Sequence, residues 1–398
     1  MKSIKTAEIK DKKIIFRADL NIPTVNGKIT DYSRINSIIP SIQKLVDAKN
    51  KIFILSHFGR PKGKINNQLS INFLCAELEK KLKVGKIHFL KSFKNEDIKN
   101  KQSKMNYGDV CLFENIRFNK EEESNEINFS KKLSNEFEIF INDAFSASHR
   151  SHASIVGLPM FLPSYAGLNF IEEVESLNNF LNNANKPNLA IIGGSKISTK
   201  IKVIYNLVKL FDSIVIGGAM ANTFLFSKNI NIGNSLFEKD FTEVAKDILA
   251  EAKDNKCKII LPVDALCSKN LDNITDVETC SIKSVPNNKM ILDVGDKTIN
   301  KVFKEIDKCN SVLWNGPLGA FEFKPFDKSS IAIANKIKKN FIEDSIQSLA
   351  GGGDTLSAIS LAKAKNGFNY LSNAGGAFLE WLEGNNSPGY LALKKNNL

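Results

Sequence analysis

Short apolar runs alternate with amphipathic stretches along most of the chain. Runs rich in β-branched and aromatic residues predict strands, and apolar positions three or four residues apart predict helices. The predicted strands cover residues 14–17, 52–55, 110–113, 137–141, 189–192, 214–216, 259–263, 312–314 and 348–349. The predicted helices include residues 33–48, 71–82, 197–210, 241–252 and 329–338. This alternation predicts an α/β fold, with parallel sheets covered by helices on both faces.

One segment near the middle of the chain interrupts this alternation. Residues 170–181 predict a helix, and the polar run 182–187 after it predicts a linker. A chain of 398 residues is long enough for two or three domains, each with its own core. We therefore place the division between two halves at this segment.

The composition is that of a globular protein, with 42% hydrophobic and 25% charged residues, and it excludes disordered, collagen-like and disulfide-knot proteins. Residues 1–5 have no apolar region of a secretory signal, and the apolar runs are too short to span a bilayer. The six cysteines show no paired spacing, which indicates incidental thiols in a reducing compartment. We expect a soluble cytoplasmic protein with no membrane partner.

The net charge of +12 comes from lysines spread along the whole chain, without a basic stripe and interleaved aromatic residues. We therefore expect no nucleic-acid partner, because such a lysine bias can reflect codon composition. The five arginines, in contrast, all lie in the first 150 residues. Arginine provides a planar fork for carboxylate or phosphate that lysine cannot replace. An anion site in the first half is the sharper hypothesis, and purely structural arginines are the alternative.

Polar segments follow the predicted strands, and ligands of open parallel sheets bind beyond the carboxyl ends of the strands. In the first half these segments are residues 17–21, 56–60, 114–117 and 142–146, with 149–152 a little further on. They are rich in arginine and histidine, and they predict a site for a small polyanion.

The second half has glycine-rich strand ends instead, at residues 193–196, 217–220, 315–317 and 351–355. Glycine lets backbone N–H groups approach a phosphate, and a following helix adds its positive end. One Gly-Gly pair alone is more typical of a tight turn, but successive pairs favour phosphate binding. Asp354 lies at a predicted helix start, where it could cap the helix or coordinate magnesium.

Two familiar nucleotide motifs are missing. Residues 59–65 resemble a P-loop but are one residue short and lack its Ser or Thr, and no G-x-G-x-x-G occurs. A nicotinamide-dependent dehydrogenase, one competing class, would be expected to carry that glycine fingerprint. A basic nucleic-acid-binding protein is the other competing class.

The chain resembles the phosphoglycerate kinase family along essentially its whole length. The matching blocks are RADLNIP at 17–23, SHFGRPK at 56–62, ENIRF at 114–118, NDAFSASHRSHAS at 142–154, GGSKISTK at 193–200, WNGPLGAFE at 314–322, GGGDT at 351–355 and GGAFLEWLEG at 375–384. Asn373, where Thr is usual, and Ser387, where Leu is usual, depart from the family pattern.

The resemblance implies two doubly wound, Rossmann-like parallel-sheet domains joined by a long helix and a hinge. Residues 1–169 with the tail 385–398 would bind the triose phosphate, and residues 170–384 would bind ADP or ATP. The implied reaction, in glycolysis, transfers a phosphoryl group from 1,3-bisphosphoglycerate to ADP, giving 3-phosphoglycerate and ATP, with Mg²⁺. Hinge closure would bring the ligands together, and the family favours a monomer.

The resemblance also implies roles for individual residues. The implied catalytic residues are Arg34, Lys196, Lys200 and Gly352. The implied triose-binding residues are Asp19, Asn21, Arg34, His57, Phe58, Gly59, Arg60, Arg117 and Arg150. The implied nucleotide-binding residues are Gly193, Gly194, Lys200, Gly217, Gly218, Asn315, Glu322, Gly351, Gly352, Gly353, Asp354 and Thr355. Asp354 would also bind the metal.

Overall fold

The computed structural model describes residues 1–25, 27–271 and 276–396. These residues form two compact units. One unit is Met1–Glu175 together with the segment that begins at Asn386, and the other is Ser176–Asn385. No helix among the described residues is both long enough and apolar enough to cross a membrane.

The first unit is built on a six-stranded parallel sheet with the order β5-β6-β4-β1-β7-β8. Its strands, with the small antiparallel pair β2 and β3, are β1 (Lys13–Arg17), β2 (Thr24–Val25), β3 (Lys28–Ile29), β4 (Lys51–Leu55), β5 (His88–Leu90), β6 (Val110–Phe113), β7 (Ile139–Asn142) and β8 (Ser164–Ala166). The helices are α1 (Ser33–Asp47), α2 (Leu74–Lys81), α3 (Asn95–Ser103), α4 (Lys120–Glu123), α5 (Ile127–Ser134) and α6 (Leu168–Asn183), which continues into the second unit.

Both faces of the inner strands β1, β4, β6 and β7 are buried, which explains why these strands are continuous apolar runs rather than alternating ones. Ile14 and Phe16 of β1 pack into one core cluster with residues of α1 such as Ile38. Ile15, between them, points to the opposite face and packs into a second cluster with Phe53 of β4. All of these side chains are fully buried.

The second unit has its own six-stranded parallel sheet, with the order β11-β10-β9-β15-β16-β17, and a three-stranded antiparallel sheet, β13-β12-β14. Its strands are β9 (Asn188–Ile192), β10 (Ser213–Ile216), β11 (Lys258–Ile260), β12 (Asp264–Ser268), β13 (Glu278–Ser281), β14 (Met290–Val294), β15 (Ser311–Asn315), β16 (Gln347–Gly351) and β17 (Tyr370–Ser372). The helices are α7 (Ile201–Leu210), α8 (Met220–Ser227), α9 (Thr242–Asp254), α10 (Asp296–Ile306), α11 (Lys328–Ile342), α12 (Gly353–Leu361) and α13 (Gly376–Leu382).

The segment after residue 385 packs on the first unit through helix α14 (Pro388–Lys395). The backbone N–H of Gly389 donates to the Ser148 carbonyl over 2.9 Å, and Asn396 Nδ2 donates to the Pro159 carbonyl over 2.7 Å. Ser387, a departure from the family pattern, is the N-cap of α14, and its hydroxyl accepts from the Tyr390 N–H. The Ser387 hydroxyl accepts a hydrogen bond from a backbone N–H of the first turn, and the usual Leu has no side-chain acceptor for it.

The predicted α/β fold with parallel sheets is confirmed by both six-stranded sheets. Several predicted element ends are wrong. The predicted strand 259–263 ends at Ile260, the predicted helix 197–210 begins only at Ile201, and α6 continues to Asn183, inside the predicted linker. The antiparallel sheet was not predicted, because β13 has the sequence ETCS and is largely exposed, without an apolar run to mark it.

Candidate active site

The carboxyl ends of β1 and β4 and the start of α1 meet at the cationic strand ends of the first unit. NH1 of Arg34 lies 2.8 Å from Asp19 Oδ2 and donates to the Asn21 carbonyl over 2.9 Å. The side-chain oxygen of Asn21 accepts from the Gly59 N–H over 2.9 Å. These contacts bring together side chains that are far apart in the sequence.

Arg117, after β6, is fixed against the loop that follows β4. Its side chain is only 3% exposed, its NH1 donates to the Gly59 carbonyl over 2.8 Å, and its Nε lies 3.1 Å from Glu123 Oε1. Both backbone groups of Gly59 are therefore occupied, one by Asn21 and one by Arg117. The contacts of Gly59 serve to position those two side chains.

Phe58 is also placed as a supporting residue. Its ring is buried and packs edge-to-face on Phe73, with the ring centroids 5.7 Å apart. Its backbone N–H and carbonyl both bond to the side-chain amide of Asn115, over 3.2 and 2.7 Å. Phe58 therefore shapes the loop from behind.

Arg17 is a structural arginine, the alternative that the sequence left open. It is fully buried, donates to the Ser154 hydroxyl over 2.8 Å, and places NH2 3.2 Å from His57 Nδ1. Glu122, also fully buried, accepts from the Ser154 N–H and hydroxyl over 2.9 and 2.6 Å. This Glu122–Ser154–Arg17 chain fixes His57 from inside the unit.

Positive charge accumulates at these strand ends. Burial, then Arg17 and Arg150, lower the pKa of His57 well below 6.5, and burial with the same two arginines lowers the pKa of His152 to about 4. The pKa of Arg150 is itself lowered, first by burial and then by Arg60. Cations that suppress one another's protonation indicate a positive potential that a bound polyanion would relieve.

Arg60 is the most available of these cations. It is exposed, and no carboxylate of the described residues pairs with it. Arg150 is partly buried, and its Nε donates to His149 Nε2 over 3.1 Å. The two guanidinium groups are thus held near each other without a neutralising partner for Arg60.

In the second unit, the glycine-rich strand ends pack on one another. A Cβ at Gly193 would lie 1.9 Å from the Pro317 carbonyl oxygen, and one at Gly217 would lie 2.1 Å from a Leu318 methyl carbon. Gly218 has φ +66°, and a Cβ there would lie 2.5 Å from the Gly194 carbonyl oxygen. These glycines therefore allow backbone to approach backbone, whereas Gly353 is exposed and has open space around it.

Lys200 ties three of these strand ends together. Its Nζ donates to the Gly193 carbonyl over 2.6 Å and to the carbonyl and side-chain oxygens of Asn315 over 3.0 and 2.6 Å. Asn315 in turn donates through Nδ2 to the Gly351 carbonyl over 2.7 Å. Burial lowers the pKa of Lys200 to about 8, and the Asp354 carboxylate partly opposes this.

Helix α12 starts directly at the glycine strand end after β16. Its N-cap is Gly352, with φ +98°, and no side chain caps the helix. The capping alternative for Asp354 is therefore wrong: its carboxylate is exposed in the first turn. Thr355 accepts from the Gly316 N–H over 2.7 Å, which joins α12 to the end of β15.

A single carboxylate limits how a metal could bind. No cluster of three or more His, Cys, Asp or Glu side chains that could hold an ion occurs in the part of the chain that the structure describes. Mg²⁺ is commonly held by one or two carboxylates together with substrate phosphates and water. Asp354 fits that mode of binding, in which phosphate and water supply most of the ligands. It does not fit a site made of protein ligands alone.

Lys196 and Glu322, two more predicted nucleotide-site residues, are both exposed. Lys196 lies in the turn between β9 and α7. No hydrogen bond or ion pair among the described residues ties Glu322 to the glycine-rich strand ends. Their assignment stays a prediction.

Glu238 is a residue of this region that the sequence did not indicate. Its carboxylate accepts from the Ser198 N–H over 2.9 Å and from the Ser198 hydroxyl over 2.6 Å. Its own N–H donates to the Thr223 hydroxyl over 3.1 Å. Glu238 thus holds the turn that carries Lys196 and leads to Lys200, and it delays the start of α7. Because Glu238 and Ser198 are 40 positions apart, no local sequence pattern indicates their contact.

The two parallel sheets thus carry a cationic cluster at one set of strand ends and glycine-rich strand ends with a helix start at another, and groups of both kinds bind phosphate. The family model described as "Phosphoglycerate kinase" matches residues 4–385. The chain therefore belongs to the phosphoglycerate kinase family, whose members are phosphotransferases with a carboxyl group as acceptor.

Relatives with the same name cover nearly the whole chain. The phosphoglycerate kinase of Chelativorans sp. (strain BNC1) is 44% identical over 388 residues, which are 98% of this chain and 97% of the relative. That of Rhizobium meliloti (strain 1021) is 42% identical over 390 residues, or 98% of each chain. The solved phosphoglycerate kinase of Coxiella burnetii is 35% identical, with a TM-score of 0.89, and the match covers 99% of this chain and 98% of that one. The function of the chain is that of a glycolytic phosphoglycerate kinase.

We predict that Glu238→Gln weakens ADP use while leaving 3-phosphoglycerate use unchanged. The variant retains one acceptor but loses the charge-assisted bond to Ser198, which is worth about 1–2 kcal/mol, or about 5- to 30-fold in the KM for ADP. Steady-state kinetics with each substrate varied in turn measures this. Glu243→Gln is the matched control, because the exposed Glu243 carboxylate pairs with Lys246 on α9 and with no other cation of the described residues. An equal loss for both substrates would contradict a positioning role.

Proposed function

We propose that the first unit binds the triose phosphate, that the second binds ADP or ATP, and that a phosphoryl group passes between them. The forward reaction converts 1,3-bisphosphoglycerate and ADP to 3-phosphoglycerate and ATP. The observation that carries this assignment is the contrast between the two sets of strand ends: the first unit concentrates arginine and histidine side chains, and the second concentrates glycine.

In the first unit, a small and highly charged ligand would neutralise Arg60 and Arg150. Arg34 suits the carboxyl end of the triose, because NH1 is held by Asp19 and Asn21 while its other two guanidinium nitrogens have no partner among the described residues. His57 is kept neutral by its lowered pKa. Because Arg17 can only donate to Nδ1, the proton of His57 lies on Nε2, which can donate one hydrogen bond without adding charge. Asn21 and Arg117 complete the set of ligands.

In the second unit, the positive charge of Lys200 would attract the nucleotide phosphates. Its three donors already bond to Gly193 and Asn315, so it would act through its charge rather than by a direct hydrogen bond. The glycines after β9 and β10 let the strand ends pack closely on one another, and we assign the nucleotide to the edge that they form. The first turn of α12, with Gly352 and Gly353, offers free backbone N–H groups and the positive end of the helix dipole. Lys196 and Glu322 would act from exposed positions beside these groups, at the phosphates and the ribose respectively.

The chemistry needs charge stabilisation rather than a general base. A terminal oxygen of ADP attacks the phosphorus of the acyl phosphate, the bond from phosphorus to the acyl oxygen breaks, and a carboxylate leaves. The nucleophile is already an anion and the leaving group is a weak base, so no proton has to move. Arg34 from one side, and Lys196, Lys200 and the Gly352 amide from the other, would neutralise the transferring phosphoryl group.

Asp354 would hold Mg²⁺ together with the nucleotide phosphates. When bound, the metal would neutralise phosphate charge and orient the terminal phosphate. In the free chain the Asp354 carboxylate partly opposes the lowering of the Lys200 pKa by burial, and with Mg²⁺ bound its charge would be neutralised by the metal instead.

The remaining parts of the proposal are a cytoplasmic monomer and hinge closure. Because the two ligands are assigned to different units, transfer requires them to meet. Closure would also exclude the water that hydrolyses an acyl phosphate.

A coupled assay tests the function directly. The chain with 3-phosphoglycerate, ATP and Mg²⁺ should form 1,3-bisphosphoglycerate, which an added dehydrogenase and NADH report as loss of absorbance. Omitting either substrate should abolish the signal, and activity with a carboxylic acid lacking the phosphate should be far lower. Equal activity on such an acid would contradict the triose assignment.

We predict that Lys200→Ala weakens ADP binding strongly and leaves 3-phosphoglycerate binding nearly intact, because the two ligands are assigned to different units. In the wild type, ADP affinity should fall as pH rises through about 8, where Lys200 loses its proton, and the variant should lack this slope. Calorimetry with each ligand at several pH values measures both effects. Lys202→Ala, at an exposed position of α7, is the control. Lost triose binding with ADP affinity unchanged would reverse the assignment of the units.

We predict that Arg34→Lys lowers turnover at least about tenfold, or 1.4 kcal/mol in transition-state stabilisation, and that Arg34→Ala lowers it further. Lysine can keep the ion pair with Asp19 but has no further planar nitrogens for the ligand. The melting temperature should hardly change in Arg34→Lys. Lys44→Arg, at an exposed position of α1, is the matched control. Near-wild-type turnover would show that charge alone suffices at this position.

A further inference from the structure

Two cysteines outside the proposed active site face each other across the small antiparallel sheet. The Sγ atoms of Cys267 in β12 and Cys280 in β13 are 2.6 Å apart, and both residues are free thiols. In the register of the two strands, Ala265 lies opposite Cys280 and Cys267 lies opposite Glu278. The two cysteines are therefore diagonal neighbours on the same face of the sheet.

The sheet holds the two thiols in this arrangement. β12 is the central strand, paired with β13 on one side and with β14 on the other. Cys267 belongs to a core cluster that includes Leu225 of α8 and Ile282, and Cys280 packs against the same cluster. Because backbone pairing and packing fix both residues, little movement is needed to reach the bond length of about 2.05 Å that joins two sulfurs.

We propose that Cys267 and Cys280 form a reversible intramolecular disulfide, which makes this sheet a site of oxidative modification by peroxide. The first attack comes from Cys280, which is only half-buried. Burial, and then the neighbouring Cys280 thiol, raise the pKa of Cys267, so that Cys267 stays protonated near neutral pH. A thiolate that reaches solvent is the form that reacts with peroxide.

The reaction balances with hydrogen peroxide as the only oxidant. The Cys280 thiolate attacks one peroxide oxygen, the O–O bond breaks, and the hydroxide released leaves as water, with a sulfenic acid on Cys280. The Cys267 sulfur then attacks the Cys280 sulfur, the S–O bond breaks, and the departing hydroxide takes the Cys267 proton. Two thiols are oxidised to one disulfide, and one peroxide is reduced to two waters.

The Cys280 thiol also lies 3.8 Å from the Ala265 carbonyl oxygen, but Cys111, Cys309 and Cys75 have no sulfur partner among the described residues. The Cys111 thiol donates to the Leu112 carbonyl over 3.9 Å, and the Cys309 thiol donates to the Ile306 carbonyl over 3.3 Å. Both are buried, and burial raises the pKa of each to about 12. Cys75 is half-buried, and its thiol lies 3.9 Å from an Asn72 oxygen. Cys75 is therefore the residue with which the reactivity of Cys280 must be compared.

The test exposes the full-length chain to hydrogen peroxide and measures its mass without a reductant. We expect a loss of two hydrogens that dithiothreitol reverses. Trypsin cleaves after Lys269, so the disulfide should link peptides 259–269 and 270–283. Sulfinic acid on Cys280 without this linked pair, or a disulfide that joins only different chains, would overturn the proposal.

Single substitutions separate the two thiols. In Cys267→Ser, the sulfenic acid on Cys280 has no resolving thiol, and dimedone should label Cys280. In Cys280→Ser, the buried Cys267 should react at least tenfold more slowly. Cys309→Ser is the matched control and should form the disulfide as the wild type does. Faster labelling of Cys75 than of Cys280 in Cys267→Ser would overturn the assignment of Cys280 as the attacking thiol.

Discussion

Parallel strand pairing is the constraint on which the rest of this molecule depends. In each six-stranded sheet, all neighbouring strands run in the same direction, so all of their carboxyl ends emerge at one edge. Asp19, His57 and Arg117 follow three different strands, and Arg34 reaches the same edge from α1. The apolar core on both faces of the sheet keeps that edge in register. Burial of the apolar side chains therefore determines where the charged groups come together.

The two units present anion-binding groups in different ways. The first unit gathers several cations, whose repulsion is reduced by two buried carboxylates, Asp19 beside Arg34 and Glu122 near Arg17. The second unit relies on backbone geometry and on one buried ammonium group, that of Lys200, which is already bonded to three oxygens. A charge cluster suits a small ligand with charge at both ends. Closely packed glycine strand ends, with a helix start beside them, offer backbone N–H groups to a phosphate.

The sequence was most informative wherever a local pattern reports burial. The inner strands of both parallel sheets are apolar runs, and the polar segments after them could be read directly. β5, β8 and β17 are only three residues long and were not predicted. Contacts between distant side chains have no such pattern. Glu238 bonds to Ser198 from 40 positions away, and Glu122 bonds to Ser154 from 32. The late start of α7 has the same origin, because Glu238 holds the preceding turn. β13 was not predicted, because an exposed edge strand does not require an apolar run.

The placement of the five arginines gives the protein an unusual chemical contrast. Arg17 and Arg117 are buried, and Arg34, Arg60 and Arg150 are partly or fully exposed at the same strand ends of the first unit. A reagent directed at guanidinium groups, such as a dicarbonyl, meets these three accessible targets in a single neighbourhood, whereas an amine reagent would scatter over fifty lysines. Covalent labelling of arginine therefore reports on the strand ends of the first unit, although the lysines that carry most of the positive charge are spread along the whole chain.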